Sequence, residues 1–291
     1  MTIVLYVLIF PVLAAGLFIL GSRLAFGRML AASVRDLIAD AQAAAPAAKF
    51  SYADLQGLPA PVQRYFRHVL PEGQEEVRFV RLKQEGQIRT SEKQKWMTFT
   101  AEQYFAVRRP GFIWHSVVHP VPGVWIEGLD QYRRGEGGML IKLFSAVPVV
   151  NAKGPEMDEG ALHRYLLEMV WFPTALLPSE RIKWEAVDED AARVTITDGE
   201  LTLSAVAHFN ARGELTRWET VRYNSEARKR IKYTGYCNDY RRTHGMLIPR
   251  SVVVQWNYPD HDFTYFKGTV TEIEYDRPAL QMISNRTVQR G

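Results

Sequence analysis

The chain has 291 residues, 47% of them hydrophobic and 23% charged, with a net charge of +4. That balance excludes a disordered, collagen-like or low-complexity chain, and the length suffices to bury a core without disulfides. Its single cysteine, Cys237, excludes an intramolecular disulfide and a thiolate metal site, and reads as a small buried apolar group.

From Thr2 to Ser22 no residue is charged and the run is apolar almost throughout, close to the ~20 residues a helix needs to cross ~30 Å of hydrocarbon. Pro11 and Gly16 are tolerated in such helices. A cleaved signal peptide is the competing reading, with Ala14 and Ala15 offering small residues for a cut. No basic residue precedes the run, however, and the run continues past that point. Residues 1–22 are therefore read as a transmembrane anchor. Residues 23–72 read as a helical linker with packing helices: Leu24, Met29, Leu30, Val34 and Leu37-Ile38 recur at helical steps up to the Ala-rich stretch around Pro46. A short helix follows from Pro59 to Val69, with Val62, Tyr65, Phe66 and Val69 on one side and Pro71 as its stop.

Residues 73–278 change texture to short runs rich in Val, Ile, Thr, Tyr, Phe and Trp, broken by Asp198-Gly199, Asn210-Ala211-Arg212-Gly213, His244-Gly245 and Pro259-Asp260. This is the pattern of an antiparallel meander. Leu201, Leu203, Ala205, Ala207 and Phe209 share one strand face, which is buried, while Thr202, Ser204 and His208 share the other. The run Phe263–Tyr275 is apolar on both faces by simple alternation, which implies a sheet covered on both sides. One internal helix, residues 159–171, capped by Asp158 and stopped by Pro173, carries the stripe Leu162, Tyr165, Leu166, Met169 and Val170 and is the filler of that curved sheet. Residues 279–291 form a C-terminal tail.

Constellations with chemistry are weak. His115 and His119 share a strand face and with His163 and Glu168 sketch a metal site, but rings four residues apart on a strand stand about 13 Å apart at ~3.3 Å per residue. Arg134-Gly135-Glu136-Gly137-Gly138 lacks the helix and the Gly-Lys-Ser/Thr ending of a phosphate cradle and reads as a hairpin turn. There is no Gly-x-Ser-x-Gly elbow. The acids Glu127 with Asp130, and Asp188 to Asp190, read as turn and surface carboxylates. No catalytic residue, metal or cofactor is expected.

The basic cluster Arg222, Arg228, Lys229, Arg230 and Lys232 is either a solvated strand face or a contact for anionic lipid, at about 1 kcal/mol per basic group near a bilayer. Lipid is the nearer counter-charge for a tethered chain, so no nucleic-acid partner is expected. Seven tryptophans lie in the strand-rich part and at the end of its helix. They pack a core or line an apolar cavity for a lipid-like ligand. The candidate ligand-binding residues are Trp114, Trp125, Glu168, Trp171, Phe172 and Trp256. Glu168, among apolar neighbours, is either exposed on the far side of the helix or buried with an arginine.

The segments Phe99–Phe105, Glu168–Leu176 and Tyr240–Pro249 resemble an uncharacterised bacterial family of unknown function that carries N-terminal membrane spans, over most of residues 55 to 276. More remotely, the ending resembles the closing strands of lipoprotein carriers of the LolA/LolB type, with Gly245 to Pro249 as their Gly-x-x-x-Pro turn. That resemblance implies a curved antiparallel sheet closed by helices over an apolar cavity for acyl chains. The fold class expected is thus mainly β (α+β): an N-terminal transmembrane helix, then a half-barrel with a few packing helices. The function expected is a non-enzymatic binding domain for a lipid-like or other apolar ligand, anchored as a single-pass protein in the bacterial inner (cytoplasmic) membrane. A structural protein with a filled core, and an enzyme on lipid or cell-envelope substrates, are the alternatives. Arg23, Arg28 and Arg35 after the span favour a cytoplasmic domain, whereas the carriers work outside the inner membrane, so the side is left open.

Overall fold

The structure, a computed structural model, describes residues 2–42 and 48–277; the expected tail of residues 279–291 lies outside them, as does the stretch around Pro46. The first sheet strands are β1 (Phe79–Ile88), β2 (Met97–Ala106), β3 (Gly111–Val121), β4 (Val124–Arg133), β5 (Glu136–Leu143) and β6 (Val147–Lys153). The rest are β7 (Ile182–Ala186), β8 (Ala191–Asp198), β9 (Leu201–Phe209), β10 (Leu215–Asn224), β11 (Lys229–Thr243), β12 (Met246–Asn257) and β13 (Asp262–Tyr275). Helices α1 (Thr2–Gln42) and α2 (Ala60–Val69) precede them, and α3 (Pro155–Glu168) joins β6 to β7.

All 13 strands form one antiparallel sheet in the order β6-β5-β4-β3-β2-β1-β13-β12-β11-β10-β9-β8-β7. The consecutive strands β6 and β7 are therefore its two opposite edges. The segment between them, with α3, has to cross the whole sheet, which it does on the concave side. Curvature brings the two wings together: the Tyr132 hydroxyl of β4 donates to Asp198 of β8 at 2.8 Å. The sheet is open, with unpaired outer edges on β6 and β7, and makes the half-barrel that the sequence led one to expect.

Curvature also explains a discrepancy in β13. Alternation put Phe266 and Val270 on one face and Ile273 and Tyr275 on the other. Pairing with β12 skips Tyr265, and pairing with β1 skips Thr271, so β13 carries two bulges. Each inserts one residue and reverses the parity beyond it. As a result Phe266, Val270, Ile273 and Tyr275 all pack into the inner core.

The α2 helix buries Val62, Tyr65, Phe66 and Val69 as its spacing requires, setting Tyr65 against Phe209 and Phe66 against Trp184. The internal helix begins earlier than residue 159. Gly154, at φ 114°, precedes Pro155 as the first helical residue, a position where proline's missing N–H costs nothing. Asp158 is not its cap; its carboxylate instead accepts the Gly137 N–H at 2.6 Å. Gly137 permits that approach, since a Cβ there would lie 2.3 Å from the Met157 carbonyl oxygen. The helix ends at Glu168, and Met169–Trp171 continue as a 3-10 turn.

On the outer face, the C-terminal half of α1 lies across β1 to β5. Phe26, Leu30, Val34, Leu37, Ile38 and Ala41 bury against Phe79, Tyr104, Ile113 and Leu129, a second core separate from the inner one. Asp40 fastens its end through Arg134 at 2.9 Å and Arg133 at 3.6 Å; the Arg134 hydrogen bond holds its carboxyl below the usual range despite burial. Between Phe10 and Leu24 the helix is largely exposed, with Phe10, Leu13, Leu17 and Phe18 each at least 60% exposed. This helix is long and apolar enough to cross a membrane, a property shared by anchors and signal sequences.

Candidate ligand cavity

Between α3 and the inner face of β10 to β13 lies a cavity of about 330 Å³, at the lower end of the ~300–1,000 Å³ range of small-molecule sites. Its walls are apolar: Val252 and Val254 of β12 face Gly235 and Cys237 of β11, with Trp171 and Leu167 above. Burial pushes the Cys237 thiol up to about 12, so it behaves as a small apolar group.

Exposure grades along the cavity. Trp171, Val170 and Trp218 at its inner end are each 1% exposed. Ile88, Tyr265, Phe266 and Trp256 at the other end are half-buried. The cavity is therefore open along its side, at the half-buried Met139, Leu167 and Val252, and at its mouth, toward the β1–β2 and β12–β13 turns. There Tyr233 packs edge-on to Trp256 at 4.9 Å and its hydroxyl meets that of Tyr265 at 2.9 Å. The bulge at Tyr265 lets both Tyr265 and its neighbour Phe266 line the cavity.

Polar groups converge on this apolar space. Arg164 of α3 stacks over Trp114 at 4.7 Å and Phe112 at 5.0 Å, and is paired with Asp130 and, at 2.9 Å, with Glu168. Glu168 also accepts from Gln103 at 2.6 Å, and Trp114 donates to Gln84 at 2.9 Å. Burial lowers the affinity of Arg164 for its proton, but the two carboxylates outweigh it and keep the guanidinium charged. Burial raises the Glu168 pKa, and Arg164 and Gln103 offset that only in part. At the mouth the Arg222 guanidinium lies over Tyr233 at 4.6 Å and donates from Nη2 to the Gly160 carbonyl at 2.7 Å. Three N–H donors around the cavity are buried without a partner: Nε of Arg222 and Nε1 of Trp171 and Trp218.

Of the residues singled out from sequence, Trp114, Glu168, Trp171 and Trp256 come together on this cavity. Trp171 lies at its closed end. Phe172 is fully buried one layer deeper, against Phe105 at 4.8 Å. Trp125 is remote, packed edge-on to Phe144 at 4.9 Å and donating to Ser145. Arg164, Arg222, Trp218, Tyr233 and Tyr265 were missed. The i,i+4 spacing of Arg164 and Glu168 was the available signal. Glu127 and Asp130 are 5% and 7% exposed, not surface carboxylates, and face opposite sides of the sheet.

The histidines do not converge. His115 faces outward onto Phe26 at 5.7 Å, whereas His163 faces inward beside Thr220 at 3.2 Å. Among the described residues no group of three His, Cys, Asp or Glu side chains is placed to hold a metal. The basic cluster also divides: Arg230 pairs with Glu159 at 2.5 Å, Lys232 with Glu219 at 3.1 Å, and Arg222 turns into the cavity.

Residues 56–275 match the model of a family of unknown function, DUF6920. No curated protein matches the sequence. Among solved structures, a LolA superfamily protein from Nitrosomonas europaea aligns with a TM-score of 0.37 and 8% identity, over 74% of this chain and 91% of that one. A β-barrel-like protein of the DUF1849 family from Brucella abortus aligns with a TM-score of 0.23 and 7% identity, over 69% of this chain and 98% of that one.

Proposed function

For this chain, which belongs to the DUF6920 family of unknown function, we propose a membrane-anchored binding domain that holds an acyl chain or similar apolar ligand beneath α3 and carries out no reaction on it. The observation that carries this reading is the cavity of about 330 Å³, apolar in its walls and open at an aromatic rim. A core closed by side chains would leave no such volume, because protein interiors pack to crystal-like density. The donors of Arg222, Trp171 and Trp218 refine the ligand. Buried N–H groups are nearly always paired, and acceptor oxygens on the ligand would pair Arg222 at the mouth or Trp171 and Trp218 at the closed end. The ligand is thus an acyl compound with acceptor oxygens, held by apolar burial and oriented by few polar contacts.

The anchor is supported by the exposed apolar surface of α1 from Phe10 to Leu24, continuous with the half of the helix docked on the sheet. In a bacterial inner membrane such a helix would hold the domain within reach of lipid. Lipid copurifying with the detergent-extracted full chain, identified by mass spectrometry, tests the binding. An acyl ligand near one per chain is expected, lost in Val254→Phe, whose ring would fill the cavity. Wild type carrying no lipid and failing to bind a fluorescent fatty acid would refute the reading.

A further inference from the structure

The place where α1 leaves the sheet defines one end of the domain. Phe26 packs on His115 while Leu37 lies against Gly111 at the start of β3, so α1 runs antiparallel to β3 and departs toward the β3–β4 hairpin. Ile19 and Ser22, two turns and one turn before Phe26, are still partly covered, whereas their neighbours are exposed. From His115 to Val121 the strand rises ~20 Å at ~3.3 Å per residue, a distance that about 13 helical residues cover when the two run alongside each other. The hairpin tips therefore reach the level of the last turns of the apolar stretch.

The same end carries three of the exposed valines described outside α1. Among the described residues outside α1, the exposed large hydrophobic side chains are five valines: Val121, Val147, Val149, Val187 and Val221. Three of them, at 56%, 53% and 63% exposure, sit on the β3–β4 tip and at the start of β6. Trp125 and Phe144 form a half-buried aromatic pair just below. Register places the cavity mouth at this end too, since Ile88 pairs with Met97 and Thr98 with His119. The β1–β2 turn beside the mouth carries Arg89, Lys93 and Lys95 against one acid, Glu92.

We propose that this end of the sheet rests on the bilayer leaflet from which α1 emerges, its two valine-bearing tips seated among the lipid headgroups and the cavity mouth facing the lipid. An acyl ligand then passes between leaflet and cavity without its chain crossing water. The inference rests on the anchor and cavity readings above. Apolar tips, an aromatic pair at headgroup depth and a basic turn fit a lipid surface, the last through anionic headgroups. Continuity with α1 selects the bilayer over a protein partner, because the helix holds the tips at that depth.

Spin-label accessibility tests it on the full chain in vesicles of phosphatidylcholine and phosphatidylglycerol. Single labels go on Val121→Cys, Val147→Cys, Leu17→Cys and Val187→Cys, the last an exposed valine in the β7–β8 turn; Cys237 is 4% exposed and does not compete for label. The ratio of oxygen to aqueous nickel-chelate accessibility should be several-fold higher at 121 and 147 than at 187. A lipid-shielded label at 17 with labels at 121 and 147 as wet as 187 overturns the docking and leaves the anchor standing. An aqueous label at 17 overturns both.

Discussion

On the outer face of the sheet Leu30, Val34 and Leu37 of α1 are each 2% exposed or less, and a Cβ added at Gly111 would come within 2.9 Å of the Leu37 methyl. On the inner face α3 covers the same sheet and leaves about 330 Å³ unfilled. The difference lies in how each helix is held. The half of α1 that meets the sheet is fastened at one end, by Asp40 on Arg133 and Arg134. In contrast α3 is fixed at both ends, by Gly137 against Met157 and by the Tyr275 hydroxyl on the Trp171 carbonyl at 2.6 Å, while the bulges in β13 bend the sheet away between. A helix pinned across a curved sheet cannot collapse onto it, and small inward residues such as Gly235 and Cys237 leave the gap open.

The largest expected effect involves one histidine on each face. Burial lowers the pKa of His115 to about 4, helped by Arg23, with Glu127 facing it at 4.0 Å. Burial lowers that of His163 to about 4 as well, helped by Arg222 and opposed by Glu159. Both are neutral when folded and take up protons on unfolding. Their contribution to stability is complete above the unfolded value of ~6.5 and is lost as pH falls toward about 4. The loss is up to about 3 kcal/mol for each at ~1.4 kcal/mol per unit. Urea unfolding across this window should show it, with His115→Gln and His163→Gln each removing about half of the slope. An unchanged slope in either variant would place that ring in water.

Next comes the ion cluster on the inner face. Arg164→Leu leaves Asp130 and Glu168 buried without their cation, a loss of ~3–5 kcal/mol. The matching test on the outer face, Leu37→Ala, removes packing alone and should cost ~2–5 kcal/mol without changing ligand content. Equal loss of ligand in the two variants would mean that the faces are not independent.

These particulars show what the sequence exposed and what it hid. Period-two alternation, turn dipeptides and the α2 stripe are local signals, and the sheet, its hairpins and α2 follow from them. The faces of β13 do not, because Tyr265 and Thr271 are bulged by pairing with strands that neither residue reveals by its type. Trp114, Glu168, Trp171 and Trp256, which stand out in the sequence as large aromatics and a lone acid among apolar neighbours, line one cavity. Arg222 was hidden in a run of surface cations, and its contacts with Gly160 and Tyr233 show that it turns inward. Ala205 and Ala207, on the strand face read as buried, are 1% and 0% exposed in the packed core, Ala207 directly opposite Trp218.

The smallest expected effect sharpens the comparison most, because it asks whether the cavity wall needs a full negative charge at Glu168. Arg164 faces two carboxylates, so the cluster carries excess negative charge when both are ionised. Burial raises the Glu168 pKa against the pull of Arg164. Such a group contributes stability below its unfolded pKa of ~4.3, and that contribution is lost as pH rises through the folded value. Glu168→Gln removes this dependence. The amide oxygen can still accept from Arg164, and its NH₂ can donate to the Gln103 Oε1, a buried acceptor with no partner in the wild type. The variant should therefore match the wild type near pH 4 and exceed it by no more than about 1 kcal/mol near neutrality, within the usual worth of one hydrogen bond. Denaturant titrations of both proteins at the two pH values measure the difference directly, with the histidine contributions cancelling. A loss of several kcal/mol at neutral pH would instead show that ionised Glu168 is required to hold Arg164 in place.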